Sequence, residues 1–495
     1  MKTLLRTCCV VATLAGAFTS FNTDAAFPVE PMNIGATPQF FIDDYVVDNR
    51  WGIRYKREHV LRVFHQPKKH AANPLLKGDC GFVCVVREPD TGQFKMWYQT
   101  HAWVGQADDE TKTLYGVAYA ESKDGIKWVQ PKLGLVEWKG SKDNNIVWRG
   151  PLNSRASGHQ ILDLPEADRR GFRYVMTYRT GGAKKGLNGI RVIGSRDGVH
   201  WDEKSDTFIH ALPSDTVNSI VYDRERNQYV MYCRGKDRYR LFSGEVLETG
   251  ESRRISRMSN PELWTEWKTW PQAILLPDEF DARENFNAFY GMPTRYHAGI
   301  YWGALWVFRF NDNIYTDLAI SRDGVQFERL PSRPKMIELG PDGSWDDAMN
   351  FGSPDWVEIG DEWWLYYTGW DGDHGGKDRT GSIGLLTMRK EGFISMHGPS
   401  GGGVIVTRQI KWPGGRLFVN ADASQGELKV RVSGERRKPL AGFDYADCAT
   451  FTGNQTAHEV TWKGASIDSL KDQVIRLEFF LKNADIYTFR ATGAK

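Results

Sequence analysis

A short turn of the pattern Ser-x-Asp-Gly-x-x-aromatic recurs along the chain, each time behind a run of strand-like residues. Three copies are complete and two are degenerate: Ser122–Trp128, Ser195–Trp201 and Ser321–Phe327, then Ser259–Trp264 and Arg389–Phe393. The copies lie roughly 60 to 75 residues apart, which is typical of four-stranded sheets enlarged by insertions. Five turns therefore predict five such sheets.

The residue types in this turn favour a structural role. Its Asp accepts hydrogen bonds from backbone N–H groups just ahead of it, its Gly supplies a positive φ, and its aromatic residue packs between sheets. Each repeat also carries an inner strand, a polar turn and an aromatic-rich second strand. The predicted inner and second strands are Gly81–Arg87 with Phe94–Tyr98, His159–Leu164 with Tyr174–Tyr178, Asn218–Tyr222 with Tyr229–Tyr232, Phe286–Tyr290 with Tyr301–Trp306, and Phe351–Glu358 with Glu362–Tyr367.

This order of elements predicts an all-β fold: a five-bladed β-propeller followed by a C-terminal β-sandwich. An earlier strand, Phe40–Val47, is expected to complete the last blade. The glycine-rich stretch Gly398–Gly403 predicts a boundary, with the propeller at 27–396 and the sandwich at 397–495. Such a sandwich binds glycan or braces the propeller, and we favour bracing.

The composition agrees with a large all-β protein. The 495 residues are 41% hydrophobic and include 19 Trp, 19 Tyr and 50 Gly. A net charge of only +2 gives no support to a nucleic-acid or membrane-surface role. Beyond residue 26, the sequence has no segment long and apolar enough to span a bilayer.

The first 26 residues have the layout of a secretory signal peptide. Lys2 and Arg6 precede an apolar run, Cys8–Ala17, and small residues end the segment at Ala26. The sequence therefore predicts a periplasmic or secreted protein. Because Cys8 follows Arg6-Thr7 and not a small-residue lipobox, a lipid anchor is not expected.

Four cysteines lie beyond this segment, at Cys80, Cys84, Cys233 and Cys448. Cys80 and Cys84 fall in one predicted strand, about 13 Å apart at the usual rise, which is too far for a disulfide. With no His or Cys cluster beside them, a zinc site is not expected either. We predict buried free thiols.

Candidate catalytic groups precede the inner strands, because in a propeller these positions surround one mouth of the central channel. The acids at these positions are Asp79 in the first repeat, Asp215 in the third, Asp281 and Glu284 in the fourth, and Asp346 and Asp347 in the fifth. The second repeat offers Arg155 and His159 instead. Glycoside hydrolysis needs one protonated and one ionised carboxyl group, which this set would supply.

Basic residues follow the second strands at the same mouth, notably Arg179, Arg234 and Arg309. A guanidinium pairs bidentately with carboxylate or sulfate, so one hypothesis is an anionic sugar substrate. The alternative is that these arginines bind the acids of the mouth and keep them ionised. His374 belongs to the same set, and Trp345 and Trp370 are the aromatic residues assigned to it.

Motifs for other chemistry are missing from the sequence: Walker A, a dinucleotide fingerprint, His-Glu-x-x-His and a Gly-x-Ser-x-Gly elbow. No cofactor is therefore expected. Acids and asparagines in the channel would suit a structural calcium ion, but no calcium-binding loop is recognisable.

The chain resembles the five-bladed propeller glycosidases, the broad group that holds families 43 and 32. It looks closest to secreted bacterial proteins labelled family-32-like, and the similarity runs from about residue 39 to 495. The segments that carry it are Phe41–Tyr45, His65–Pro67, Ser122–Trp128 and Gly140–Ile146. The resemblance implies the propeller and sandwich fold and a glycosidase activity.

The resemblance transfers catalytic roles only in part. In family 43 an Asp of the first blade is the base, an Asp of the second tunes pKa, and a Glu of the third is the acid. Asp79 matches the first position, the second blade lacks its Asp, and the third carries Asp215 in place of Glu. The acid is then expected at Glu284 on the fourth blade. Because the Asn-Asp-Pro signature of fructosidases is missing, an invertase is not expected.

Together these observations predict a secreted glycoside hydrolase acting on a complex, anionic polysaccharide. The catalytic candidates are Asp79 as base or nucleophile, Glu284 as acid and Asp215 as pKa tuner or sugar ligand. The substrate-binding candidates are Asp347, His159, Arg179, Arg234, His374 and Trp345. Two alternatives stay open: a non-catalytic glycan-binding propeller, and a polysaccharide lyase with a His or Tyr base and an Arg that neutralises a uronate.

Overall fold

The computed structural model describes residues 30–53, 59–103, 113–181, 187–212, 214–240, 246–283, 285–376 and 378–492. The predicted signal peptide and Glu284 lie outside the described residues. Regular structure in the described part is almost entirely β. One short α-helix, α1, spans Glu279–Arg283, and 3-10 turns occur at Pro151–Asn153, Glu166–Arg169, Glu203–Ser205 and Ile467–Leu470.

The strands divide into four groups along the chain. The first group is β1 (Met32–Asn33), β2 (Gln39–Phe40), β3 (Val47–Gly52), β4 (Leu61–Phe64), β5 (Lys68–Lys69) and β6 (Leu76–Lys77). The second is β7 (Cys80–Arg87), β8 (Phe94–Trp103), β9 (Thr113–Ser122), β10 (Ile146–Trp148), β11 (Ser157–Ile161), β12 (Tyr174–Thr180), β13 (Gly189–Ser195), β14 (Thr207–His210), β15 (Ser219–Asp223), β16 (Gln228–Arg240), β17 (Val246–Asn260) and β18 (Gln272–Leu275).

The later strands complete the order. The third group is β19 (Phe286–Gly291), β20 (Thr294–His297), β21 (Ile300–Arg309), β22 (Ile314–Ser321), β23 (Glu328–Arg329), β24 (Lys335–Ile337), β25 (Met349–Ile359), β26 (Glu362–Trp370) and β27 (Gly381–Arg389). The fourth is β28 (Ile394–Gly398), β29 (Gly403–Thr407), β30 (Ile410–Lys411), β31 (Arg416–Asp422), β32 (Glu427–Ser433), β33 (Asn454–Val460), β34 (Val474–Lys482) and β35 (Ala484–Thr492).

The second group forms three antiparallel sheets of four strands each, in the orders β10-β9-β8-β7, β11-β12-β13-β14 and β15-β16-β17-β18. The third group belongs to one larger sheet with two antiparallel halves. One half is built on β19-β21-β22 and the other on β25-β26-β27. A single parallel residue pair, Ile314 with Met349, joins these halves. This part of the chain therefore forms three four-stranded sheets and one larger sheet with two antiparallel halves, which makes five antiparallel groups; the count of five blades stays a prediction.

The strand that completes the last group differs from the sequence prediction. Lys68–Lys69 and Leu76–Lys77 pair with β27, whereas the predicted residues begin with Phe40, which pairs with β35. The physical reason is a side-chain clamp. Asn73 donates to the carbonyl of Leu385 at 2.9 Å and accepts from its N–H at 2.8 Å, which holds this segment along β27.

The fourth group and the N-terminal strands form two six-stranded sheets around a common apolar core. Phe41 lies in this core between Phe479 and Phe489, with ring centroids 6.0 and 5.8 Å away. The strand β28 starts at Ile394, ahead of the predicted domain boundary at residue 397. All four cysteines of the described part are free and buried, as predicted.

The recurring turn joins neighbouring sheets through its glycine carbonyl. In the first copy, Asp124 Oδ1 accepts from the N–H groups of Ile126 and Lys127 at 2.9 and 2.8 Å, and Gly125 has a φ of 73°. The carbonyl of Gly125 then accepts a 2.9 Å bond from the hydroxyl of Tyr366, which lies in β26. The turn thus connects the last antiparallel group to the first.

Equivalent contacts occur at the other copies. Trp97 Nε1 donates to the carbonyl of Gly198 at 2.7 Å, and the Tyr232 hydroxyl donates to that of Gly324 at 2.8 Å. At the degenerate copies, Trp264 Nε1 donates to the Asp168 carbonyl at 2.8 Å, and Phe393 stacks on Trp302 with centroids 5.7 Å apart. Each of the five groups therefore contacts the next one.

We expect Tyr366→Phe to lower the free energy of unfolding by about 1 kcal/mol, because it removes one buried hydrogen bond between sheets. The loss stays near this value because Trp128 Nε1 still donates to the same carbonyl at 3.1 Å. The matched control is Tyr445→Phe, since the Tyr445 hydroxyl is buried with no hydrogen-bond partner. Urea unfolding of both variants tests this, and equal stabilities would contradict it.

Candidate active site

The candidate site begins with an ion pair on the third sheet. Asp215 precedes β15, and Arg234 of β16 donates to its carboxylate. The Asp215 side chain is 51% exposed, and its partial burial alone would raise its pKa. The charges of Arg234, Arg179 and Arg253 more than offset this effect, and the pKa lies below its ordinary value. Asp215 is therefore held ionised among three arginines.

The ring of Tyr290, in β19, forms the centre of the cluster. The guanidinium groups of Arg234 and Arg253 lie 5.2 and 5.3 Å from its centroid, within cation–π range. Its hydroxyl is hydrogen-bonded to His374 Nε2 at 3.1 Å. Burial raises the pKa of Tyr290, so the phenol stays protonated. The third, fourth and fifth sheets thus meet at this residue.

His374 is a neutral imidazole in this environment. Burial, followed by the charges of Arg379 and Arg253, lowers its pKa to about 4. Arg379 donates to the carbonyls of His374 and, at 3.1 Å, Asp373. At neutral pH the side chain is therefore an uncharged imidazole, which becomes a cation if it accepts a proton.

The first sheet joins the cluster through His101. The ring of Trp370 lies 5.6 Å from His101 and 5.3 Å from the guanidinium of Arg379. Burial and the charge of Arg379 lower the pKa of His101, while the charge of Asp79 raises it, so Asp79 lies near this group. Asp79 is exposed, and it has no hydrogen bond or ion pair with any described residue. Its carboxylate is open to solvent and to a ligand.

Three of the predicted residues have their contacts elsewhere. His159 is 1% exposed and lines a small cavity beside Cys84, where burial lowers its pKa to about 4. Trp345 is half-buried against Tyr367, with ring centroids 5.4 Å apart. Asp347 Oδ2 accepts the N–H of Gly343 at 2.6 Å, a bond within its own loop. Asp79, Arg179, Asp215, Arg234 and His374 are the predicted residues that the structure brings together.

The sequence analysis missed Arg253, Tyr290 and Arg379. It considered only residues just before the inner strands and just after the second strands. Tyr290 lies inside an inner strand, Arg253 lies in β17 and Arg379 precedes β27. Their signal was the unusual density of arginine and aromatic residues near these strand ends.

A separate cavity of about 870 Å³ contains none of the predicted site residues. It is lined by later parts of the inner strands, including Val86, Ile161 and Val221. Its buried acid Glu88 is already bound by Arg173 and by the Tyr174 hydroxyl. The cavity therefore lies at the other end of these strands, away from the arginine cluster.

In the part of the chain that the structure describes, no group of three His, Cys, Asp or Glu side chains could hold a metal ion. No helix among these residues is long and apolar enough to cross a membrane.

Comparison with known proteins adds the following likenesses. No family model matches the chain. Two uncharacterized proteins from two strains of Mycobacterium tuberculosis are 27% identical over 149 residues, which is 29% of this chain and 43% of each relative. The match thus spans less than half the length of these curated relatives.

Several solved structures match this chain at low sequence identity. An N-acetylgalactosamine deacetylase from F. plautii is 16% identical, with 68% of this chain and 96% of that chain covered and a TM-score of 0.44. A β-1,2-mannobiose phosphorylase from Listeria innocua is 11% identical; the match covers 66% of this chain and 97% of that chain, with a TM-score of 0.46. A family 43 arabinoxylan arabinofuranohydrolase from Bacillus subtilis is 11% identical; the match covers 87% of this chain and 99% of that chain, with a TM-score of 0.38.

These neighbours include glycoside hydrolases of family 43, one of the two families that the sequence resembles. The likeness to secreted family-32-like proteins stays a prediction. The argument for a function below rests on the residues of this chain.

We expect His374 to stay neutral down to about pH 5, and Arg379→Gln to raise its pKa, because the variant removes one of the charges that lower it. Imidazole resonances followed by NMR across pH, assigned with His374→Gln, measure this. Arg196→Gln, at an exposed turn position, is the control and should leave the titration unchanged.

The same shift predicts a pH dependence of stability. The folded pKa, about 4, lies below the ordinary value of 6.5, so the neutral form is favoured in the folded state. The contribution of His374 to the free energy of unfolding is complete above pH 6.5 and is lost as the pH falls towards 4.

In the NMR experiment, an unchanged titration of His374 in the Arg379→Gln variant would show that the guanidinium does not act on His374.

Proposed function

We propose that the chain is a five-bladed β-propeller at 27–396 with a C-terminal β-sandwich at 397–495, exported by a signal peptide at 1–26 to the periplasm or beyond. The propeller is supported by the five antiparallel groups of strands. Each group contacts the next, and the last contacts the first through Tyr366 and Gly125. The common core of the two terminal sheets supports the sandwich.

We propose that the protein is a glycoside hydrolase that cleaves a complex, anionic polysaccharide at the mouth formed by Asp79, Asp215 and the arginine cluster. The observation that carries this proposal is Asp215, an ionised carboxylate held among Arg234, Arg179 and Arg253. An ionised carboxylate on the third sheet and an open one, Asp79, ahead of the first sheet would supply one half of the acid–base chemistry that glycoside hydrolysis needs.

The environment of each acid defines its role. Asp215 cannot serve as the general acid, because its lowered pKa keeps it ionised. It is suited to stabilise positive charge at the anomeric carbon or to bind a sugar hydroxyl. Asp79 has no competing partner among the described residues and is the proposed base or nucleophile. Glu284, outside the described residues, is the proposed acid.

An anionic substrate would suit the arginine cluster. Arg234, Arg179 and Arg253 act on the carboxylate of Asp215, and Arg379 lies beside His374. A uronate or sulfate group has the geometry to pair with a guanidinium, so the proposed polysaccharide carries such a group. The ion pair of Arg234 with Asp215 supports the other hypothesis, that the arginines keep the acids of the mouth ionised.

A polysaccharide lyase is the second candidate, and the pair formed by His374 and Tyr290 favours it. The neutral imidazole would remove the proton at C5 of a uronate, and the Tyr290 phenol would protonate the leaving oxygen at C4. A C4–C5 double bond forms as the glycosidic C–O bond breaks, and an arginine neutralises the carboxylate of the substrate. This reaction needs neither Asp79 nor Glu284.

We expect Asp79→Asn, Asp215→Asn and Glu284→Gln each to lower turnover by roughly 10²-fold or more while the fold survives. The release of new reducing ends from a panel of sulfated, uronate-containing and neutral polysaccharides measures turnover. Asp143→Asn is the matched control, because this exposed acid only pairs with Lys132 at the surface. Near-native rates in all three variants would exclude the proposed carboxylate mechanism.

The products separate the three classes of function. Hydrolysis gives saturated sugars, whereas elimination gives an unsaturated product that absorbs ultraviolet light. If the product absorbs, and His374→Asn abolishes activity where Asp79→Asn does not, the protein is a lyase. Binding by calorimetry with no new reducing ends would identify a non-catalytic glycan-binding propeller.

We expect Arg234→Gln to raise the pKa of Asp215, because the variant removes the largest charge that lowers it while burial remains. The acid limb of the pH–rate profile should therefore move to higher pH, and activity at mildly acidic pH should fall roughly tenfold. Arg224→Gln is the control, since Arg224 lines the other cavity. An identical profile for wild type and Arg234→Gln would contradict the coupling.

A further inference from the structure

Phe310 is an aromatic side chain that the fold leaves in solvent beside the candidate site. It is 70% exposed and lies in the turn between β21 and β22. Phe308, two residues earlier in β21, packs against His374, with ring centroids 4.9 Å apart. Phe310 therefore lies at the rim of the mouth, on the side of the fourth sheet.

The backbone of this turn is held by several hydrogen bonds. The N–H of Phe310 donates to the carbonyl of Asn285 at 3.0 Å, and the N–H of Asp312 donates to that of Arg309 at 3.1 Å. Arg309 and Asn313 close the turn with a further 3.0 Å bond. The ring thus extends into solvent from a fixed backbone.

The turn is also tied to the segment that carries His374. The N–H of His374 donates to the carbonyl of Asp312 at 3.0 Å, and Asn313 Nδ2 donates to Asp373 Oδ1 at 3.0 Å. The backbone of the turn that carries Phe310 is therefore held to the His374 segment by direct hydrogen bonds. A ligand that contacts His374 would have an aromatic side chain near it.

The chemistry of the ring identifies what it would bind. A phenylalanine ring has no polar atom, and it gains free energy by covering apolar surface. The C–H face of a pyranose ring is the apolar surface that a polysaccharide offers. The arginine cluster would bind the anionic groups of such a polysaccharide, and the Phe310 ring would contact the C–H face of a second sugar unit.

We propose that Phe310 is a substrate-binding residue that stacks on the sugar unit next to the anionic unit held by the arginine cluster. This inference rests on the proposed glycan-cleaving function and extends it to chains of at least two units. Phe310 touches no reacting atom, so it acts on affinity and on the preference for chain length.

The test compares kcat and KM on oligosaccharides of increasing length prepared from the polysaccharide that the wild type degrades best. Phe310→Ala should raise KM about tenfold for chains that reach the rim and leave kcat and the shortest substrate unchanged. Phe310→Trp should keep a wild-type KM, because it retains the aromatic face. Val325→Ala, at an exposed position in the Ser321–Phe327 turn, is the control.

The outcomes distinguish this inference from the function on which it rests. A KM for Phe310→Ala within twofold of wild type at every length would overturn the role of Phe310 and leave the enzyme intact. An equal rise in KM for the shortest substrate would also overturn it, because the variant would then disturb the whole site. A wild type that neither cleaves nor binds any glycan would remove the proposed function first, and the role of Phe310 with it.

Discussion

The hydrogen bond from an aromatic side chain to the glycine carbonyl of the next sheet is the contact on which the arrangement of the strands depends. Each antiparallel group packs against the next one along the chain, and the arrangement is completed when the last group meets the first. Tyr366 and Gly125 make that contact. Gly125 must stay a glycine, because a Cβ there would lie 2.7 Å from the Tyr366 hydroxyl. The recurring turn is thus a joint between sheets.

This arrangement gathers charges that are far apart in sequence. Arg179, Arg234 and Arg253 come from two different sheets and act on one carboxylate, Asp215. Burying that carboxylate would favour its neutral form, and the arginines reverse the preference. Burial lowers the pKa of His374, and the charges of Arg379 and Arg253 lower it further. The arginine cluster therefore acts on both an acid and a histidine.

Much of the fold followed from the sequence because the turn is local. The bonds of Asp124 and the φ of Gly125 depend on residues within the turn itself. Strand pairing between distant segments was harder to predict. Phe40–Val47 has the alternation of a strand, but Asn73 selects another segment for β27, and this choice depends on a contact across more than 300 residues. Tyr290 and Arg253 were missed for the same reason, since only the assembled sheets bring them to Asp215.

The protonation states of the cluster bear on the choice between hydrolysis and elimination. A hydrolase needs a carboxyl group that is protonated at working pH, and the lowered pKa of Asp215 excludes that residue. The proposed hydrolase therefore depends on an acid at Glu284. Elimination would use groups already in the required states, a neutral His374 bonded to a protonated Tyr290. Both proposed reactions would use the arginines in the same way, to hold an anionic sugar, and they differ in the groups that move protons.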